Sequence, residues 1–299
     1  MKILRFSTDE RPENIGILLE NGALNFTEAY QAYQLLTQGT CSCPIHSPAE
    51  LMEKGLFQVE TFAQVLDFLN NHGMMERFVV KNYRILSPIA RPSKILALGR
   101  NYVAHAKELG HPVPTEPVFF SKLNSAVIGP DDPVIHWKTL TRVDHEVELA
   151  IVIGKQGFSI PKNEALSYVA GYTIVNDVTA RDMQTDDLSI SNPWTRSKGF
   201  DTFCPIGPWI VLPDELSDPS NLDLEMRVNG EVRQKDNTRN MLFDVPTIIS
   251  YLSEYCTLLP GDIIPTGTPE GISPVHPGDV MECFIEKIGV LRNPVVAET

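Results

Sequence analysis

The most informative pattern in the chain is Val143-Asp144-His145-Glu146-Val147-Glu148-Leu149-Ala150-Ile151-Val152-Ile153-Gly154, where polar–apolar alternation gives way to an unbroken apolar run. Successive side chains of a strand point to opposite faces, so Asp144, Glu146 and Glu148 share one face while Val143, Val147, Leu149 and Ile151 share the other. From Leu149 to Ile153 both faces are apolar, the mark of a central strand buried on both sides, with the acids where it enters the core. A buried carboxylate costs several kcal/mol unless it is paired, and adjacent like charges raise each other's pKa. Such a cluster calls for positive charge, and a hard divalent cation suits carboxylate oxygens better than a softer metal. Taken alone, the stretch fits a solvated strand end with ordinary surface acids equally well.

Short strands dominate the rest of the pattern. Residues 1–90 read as a small α+β unit: strands at Lys2–Ser7 and Asn14–Leu19, a turn at Asn21-Gly22, and helices over 26–36, from 48 onward and over 60–71. Ser47 is placed as an N-cap with Pro48 at the first helical position. Nothing in this unit has a catalytic pattern. The proline-rich stretch Ser87-Pro88-Ile89-Ala90-Arg91-Pro92-Ser93 favours extended backbone and marks a boundary, leaving 91–299 as the main domain.

In the main domain, strands are expected at 94–99, 118–122 and 171–177, in a hairpin turning at Asn229-Gly230, and in two closing segments; helices are expected at 165–170 and 244–254. Many short strands with few long helices predict a β-rich α+β fold, a rolled or sandwiched sheet rather than a doubly wound one.

Candidate chemistry falls at the ends of these strands. His105 and Glu108 are three apart on a short helical turn, close enough for a base and its orienting partner, or for two casual residues on an exposed helix. Asp177 ends a buried strand and is a candidate third carboxylate. Arg181 and Gln184, also three apart, can hold a substrate carboxylate and its neighbouring oxygen, and Lys198 adds a cation beside Gly199. Gly267 and Thr268 lie in a glycine-interrupted loop whose N–H groups and hydroxyl suit an anion; the loop lacks the ending of a nucleotide P-loop.

A net charge of −13 excludes nucleic acid and anionic membrane as partners, since both demand a basic face. No apolar run is long enough to span a bilayer and the first residues lack a signal-peptide core, so a cytoplasmic location is expected. The five cysteines form no disulfide framework, and Cys41, Cys43 and His46 lack four-ligand zinc spacing, which reads as plain loop.

Five motifs in order make the main domain, from Lys94 to Val296, resemble the fumarylacetoacetate hydrolase family. They are Gly99-Arg100-Asn101-Tyr102 with His105 and Glu108; Asp144-His145-Glu146-Val147-Glu148-Leu149; Asn176-Asp177-Val178-Thr179-Ala180-Arg181-Asp182; Lys198-Gly199-Phe200-Asp201; and Thr266-Gly267-Thr268-Pro269-Glu270-Gly271. The resemblance implies a mixed β-sandwich or β-roll catalytic domain, with Glu146, Glu148 and Asp177 as ligands of Mg²⁺ or Mn²⁺ and Lys198 beside a developing enolate. It further implies Arg181, Gln184 and Thr268, with Gly267, as substrate holders. His105 and Glu108 become a water-activating dyad on a lid, and the chain pairs as a homodimer. The N-terminal unit varies in such proteins and takes no role from the resemblance.

A small anionic 2-oxo acid fits these residue types: a cation polarises its carboxylate and keto oxygens, and Lys198 meets charge that develops on the keto oxygen. Water attack on a remote acyl carbonyl gives hydrolysis of an acylpyruvate or fumarylpyruvate; a remote carboxylate gives oxaloacetate decarboxylation. Isomerisation or decarboxylation of a 5-carboxymethyl-2-hydroxymuconate-type substrate uses the same parts, and a metabolite-binding scaffold uses them without turnover. The leading expectation is C–C hydrolysis.

Overall fold

In the computed structural model, which describes residues 1–40 and 44–299, the stretch 147–153 is a strand, Val147–Ile153, buried at every position. Its alternate side chains feed two different cores. Val147, Leu149, Ile151 and Ile153 face one cluster, and Ala150 and Val152 face the other. That two-sided burial follows from its neighbours: it pairs antiparallel with Val169–Asn176 on one side and Ile263–Pro265 on the other.

These strands belong to a sheet whose main path runs Val79–Val80, Gly22–Asn25, Asn14–Leu19, Lys2–Ser7, Cys204–Val211, Val169–Asn176, Val147–Ile153, Ile263–Pro265, Ile95–Gly99, Val118–Lys122. A second sheet of five strands, ordered Glu231–Asn237, Asp223–Val228, Val280–Ile285, Gly289–Ala297, Val134–His136, packs across the first cluster. Leu224, Met226, Met281 and Ile285 meet Leu149, Ile151 and Ile174 there, giving the expected β-rich sandwich. Lys2–Ser7 pairs with Cys204–Val211, so hydrogen bonding of the large sheet runs on from the main domain into the first residues. Helices Phe26–Gln38 and Val59–Asn71 contribute Phe26, Phe62, Val65 and Leu69 to the cluster on its other face.

Local signals mostly fall where the sequence puts them. Ser47 accepts a hydrogen bond from Glu50 N and starts Pro48–Glu53, and Asp244 accepts from Thr247 N at the start of Val245–Tyr255. Asn229 and Gly230 take φ of 53° and 82°, as a type I′ turn requires. The first hairpin differs. Leu19 pairs with Gly22, so the turn is Glu20-Asn21 and the glycine begins the return strand. A Cβ on Gly22 would lie 2.5 Å from Val80 O, so close approach, not turn chemistry, is what demands glycine here. The segment expected as a helix at 165–170 is a 3₁₀ stretch, Lys162–Tyr168, that runs into the strand Val169–Asn176.

Cys41 and Cys43 lie outside the described residues; His46 Nδ1 approaches Glu13 O at 3.4 Å. Cys204, Cys256 and Cys283 are free thiols. Among the described residues no helix is long and apolar enough to cross a membrane.

Because Ile151 is fully buried between two strands and the second sheet, Ile151→Ala should cost about 2–5 kcal/mol. The urea midpoint should fall with an unchanged m value.

Candidate active site

The acidic strand breaks where its charge is densest. Val143–Asp144 pairs with Thr179–Ala180 in a separate two-stranded ladder, and the long strand starts only at Val147. Between them, Glu146 N donates to Asn176 Oδ1 and Glu146 O accepts from Asp177 N. The three acids therefore do not lie on one continuous strand. Asp144 turns to Arg142 and Arg181, while Glu146 and Glu148 converge with Asp177.

Glu146, Glu148 and Asp177 each offer an oxygen within 4.8 Å of the others, and all three are buried. Their surroundings are unequal. Glu146 is bonded to the Arg181 guanidinium, to Lys198 Nζ at 2.8 Å and to the Thr179 hydroxyl at 3.1 Å. Burial opposes its ionisation, but Lys198 and Arg181 overcome this and hold its carboxyl far below the usual range. Asp177 is held by Lys198 at 2.5 Å and Lys122 at 2.6 Å.

Among the described residues no cation pairs with Glu148, and its buried Oε1 has no hydrogen-bond partner. Glu148 Oε2 accepts from Gly267 N at 2.7 Å. Burial, then the charges of Asp177 and Glu146, push its carboxyl well above the ordinary value. An orphaned buried acceptor costs about 1–3 kcal/mol, and more when charged. A hard cation among the three carboxylates satisfies that oxygen and neutralises the repulsion, so the donor set fits a divalent ion.

Lys198 ends the short helix Thr195–Lys198, and its ammonium also lies 5.1 Å from the Phe120 ring centroid. Burial opposes its charge, yet Asp177 and Glu146 raise its pKa, so it stays an ammonium. Arg181 donates to Asp144, Glu146 and Gln184 Oε1. The structure thus brings Arg181 and Gln184 together as expected, with the guanidinium already committed to acids.

His105 lies on the helix Val103–Glu108, 5% exposed. Its Nδ1 is 3.1 Å from Glu108 Oε2, and Glu108 Oε1 accepts from Gly271 N at 3.0 Å. A carboxylate at Nδ1 fixes the proton there and leaves Nε2 as the free basic nitrogen. His105, Glu146, Glu148, Arg181, Gln184, Lys198 and Thr268 all line one cavity of about 20 Å³, room for about one water.

Lys122 gave no readable signal in the sequence, and Asn101 and Arg100, though inside a family motif, took no role from it. Lys122 is 2% exposed; its ammonium bonds Asp177 and also Lys198 O at 2.7 Å. Asn101 ties the loop after Ile263–Pro265 to the segment before Val245–Tyr255: its Nδ2 donates to Thr266 O and Phe243 O, and its Oδ1 accepts from Phe243 N. Gly267, at φ +93°, would put a Cβ 2.8 Å from Asn101 Cβ, which explains glycine at that position. Arg100 stacks on Trp194 at 5.4 Å, and its buried Nε has no hydrogen-bond partner. A lysine on an expected strand carries no mark of burial, and asparagine's contacts across more than 140 positions are invisible to local pattern.

Residues 94–296 match the Fumarylacetoacetate (FAA) hydrolase C-terminal family, and the chain belongs to the fumarylacetoacetate hydrolase family. It is 51% identical over 208 residues to an uncharacterised protein of Pyrococcus abyssi, a match that covers 70% of this chain and 92% of that one. It is 38% identical over 304 residues to the mitochondrial oxaloacetate tautomerase fahd2 of Xenopus laevis, covering 99% of this chain and 90% of that protein. The solved 5-carboxymethyl-2-hydroxymuconate delta-isomerase of Mycobacterium smegmatis superposes with a TM-score of 0.75 at 35% identity, over the whole of both chains.

Lys122→Met leaves Asp177 buried with Lys198 as its remaining cation. Breaking a buried pair on one side is strongly destabilising, and with Lys198 retained the cost should be about 3 kcal/mol. Urea unfolding of chelator-treated protein measures it; a change below about 0.5 kcal/mol would remove Lys122 from the account.

Proposed function

We propose that this chain is a divalent-cation-dependent enzyme that interconverts the enol and keto forms of a small 2-oxo diacid of the oxaloacetate type. One observation carries the reading. Two carboxylates of the buried triad, Glu146 and Glu148, the latter with an unsatisfied oxygen, line one small cavity with an imidazole whose Nδ1 is held by Glu108.

Glu146, Glu148 and Asp177 are the residues that would hold Mg²⁺ or Mn²⁺. When bound, such an ion supplies Lewis-acid charge to the carboxylate and keto oxygens of a 2-oxo acid. The chain's own groups then divide the proton work. Tautomerisation moves one proton from the C2 hydroxyl and adds one at C3, with no bond between heavy atoms made or broken. Lys198, kept charged by its carboxylate neighbours, faces the oxygen on which negative charge develops. His105, through Nε2, carries the proton at C3, and Glu108 holds the ring orientation and stabilises the imidazolium. Thr268, Gly267 and Gln184 hold the carboxylate end. Arg100 lines the same cavity without a carboxylate partner among the described residues. Burial lowers its pKa, so a ligand that brings an anion to it is favoured, which supports a second carboxylate on the substrate.

The Xenopus oxaloacetate tautomerase supports the reading, because its likeness extends through the N-terminal segment as well as the family domain. C–C hydrolysis of an acylpyruvate is the second reading. The His105–Glu108 geometry favours it, since an oriented imidazole also deprotonates water.

Loss of the ultraviolet absorbance of enol-oxaloacetate measures the proposed reaction directly. The Mg²⁺-loaded protein should speed that loss and chelator should abolish the effect. His105→Asn should lower kcat at least 100-fold, the lower range for loss of a general acid–base. Pyruvate release from acetylpyruvate faster than enol loss would transfer the assignment to hydrolysis.

A further inference from the structure

Gln234 lies outside every motif above, on the strand Glu231–Asn237 of the second sheet. That strand is mostly exposed, and by alternation Val232 and Gln234 belong to the same face. Yet Val232 is 49% exposed and Gln234 is 1%. The cause is a bulge: Met226 pairs with Gln234 but Arg227 pairs with Val232, which leaves Arg233 as an extra residue. A bulge re-aims the side chain beyond it, and here it drives Gln234 into the wall of the active site.

All four hydrogen-bonding positions of the Gln234 amide are used. Oε1 accepts from Val147 N at 3.2 Å and Nε2 donates to Pro269 O at 2.8 Å. Those two backbone groups admit only one orientation of the amide. It follows that His145 Nδ1, 2.9 Å from Oε1, carries a proton and donates it, while its Nε2 lies 2.9 Å from the Ser273 hydroxyl. The fourth contact is Nε2 to Thr268 Oγ1 at 2.8 Å. Thr268 in turn donates its own hydroxyl proton to Val147 O at 2.9 Å. Gln234 thereby clamps the loop from Thr268 to Gly271 against Val147, the residue between Glu146 and Glu148. The same loop gives Gly267 N to Glu148 and Gly271 N to Glu108, and a Cβ on Gly271 would meet Arg233 O at 2.2 Å.

We propose that Gln234, held by His145, is a positioning residue of the active site. It sets the 268–271 loop at the distance from the acidic triad that a bound 2-oxo acid requires, and it acts through Thr268 without touching the ligand. This rests on the substrate reading above, and the test separates the two. Oxalate, an unreactive dianion with the same paired oxygens as a 2-oxo acid, serves as the binding probe in calorimetry on Mg²⁺-loaded protein; KM and kcat for enol-oxaloacetate are measured alongside.

Gln234→Met keeps the length and apolar packing and removes every hydrogen bond. The expected result is an oxalate Kd and a KM raised at least tenfold, a kcat within about threefold of the wild type, and a Mg²⁺-induced rise in Tm that persists. The double variant with Thr268→Val should bind oxalate no worse than the weaker single variant, because both remove the same link. Should Gln234→Met not fold, Gln234→Glu, which keeps the acceptor contacts and loses the donors, makes the same comparison. Oxalate Kd and KM within twofold of the wild type, with only Tm lowered, would make Gln234 purely structural and overturn the proposal, as would additive loss in the double variant. Gln234-dependent oxalate binding in a wild type that leaves enol-oxaloacetate unchanged would uphold the positioning role and overturn the substrate reading.

Discussion

Four carboxylates, those of Asp144, Glu146, Glu148 and Asp177, are withdrawn from water at one end of the sandwich, and the arrangement of the site follows from how their charge is met. Arg142 and Arg181 serve Asp144; Arg181 and Lys198 serve Glu146; Lys122 and Lys198 serve Asp177. Every cation of the cluster is committed before Glu148 is reached. That residue receives one backbone N–H and leaves an oxygen unpaired. Three of the four acids are thus charge-matched, and Glu148 is the one that is not. A site arranged in this way binds a cation without first having to break Glu148 from a competing partner.

The same cluster ties the fold to the chemistry. Glu148 belongs to the central strand Val147–Ile153, Asp177 follows its neighbour Val169–Asn176, and Thr268 lies beyond its other neighbour Ile263–Pro265. Sheet pairing therefore sets the spacing of ligands and loop, while Lys122 and Lys198 come from the edge strand and a short helix to close the charge. His105 arrives on a separate short helix fastened by Glu108 to Gly271, so its imidazole is tied to the loop that follows Ile263–Pro265. The helix and the loop both border a cavity with room for about one water.

Much of this was legible before any coordinates. A run of five residues apolar on both faces identified the central strand, and acids at its start identified where chemistry would sit, because burial of charge leaves few alternatives. The cap at Ser47 and the turn at Asn229-Gly230 act over three or four residues and are legible for that reason. What local pattern could not reach was support from a distance. Asp144 looked like a third acid beside Glu146 and Glu148, but Arg142 and Arg181 pair it, and Asp177 is the acid that completes the cluster. Lys122 and Gln234 carry no local sign of burial; one is drawn inward by Asp177, 55 positions away, and the other by a bulge that reverses the alternation. Gly22 looked like turn chemistry and answers instead to the backbone of Val80.

The central claim is that the triad binds one divalent ion through the oxygen that Glu148 keeps free. Calorimetric titration of the chelator-treated protein with Mn²⁺, repeated on Glu148→Gln, tests it without reference to any substrate. One ion per chain for the wild type, with affinity at least 100-fold weaker in the variant, is the predicted result. Equal binding by both proteins, or none by the wild type, would mean that the buried carboxylates are balanced by Lys122, Lys198 and Arg181 alone.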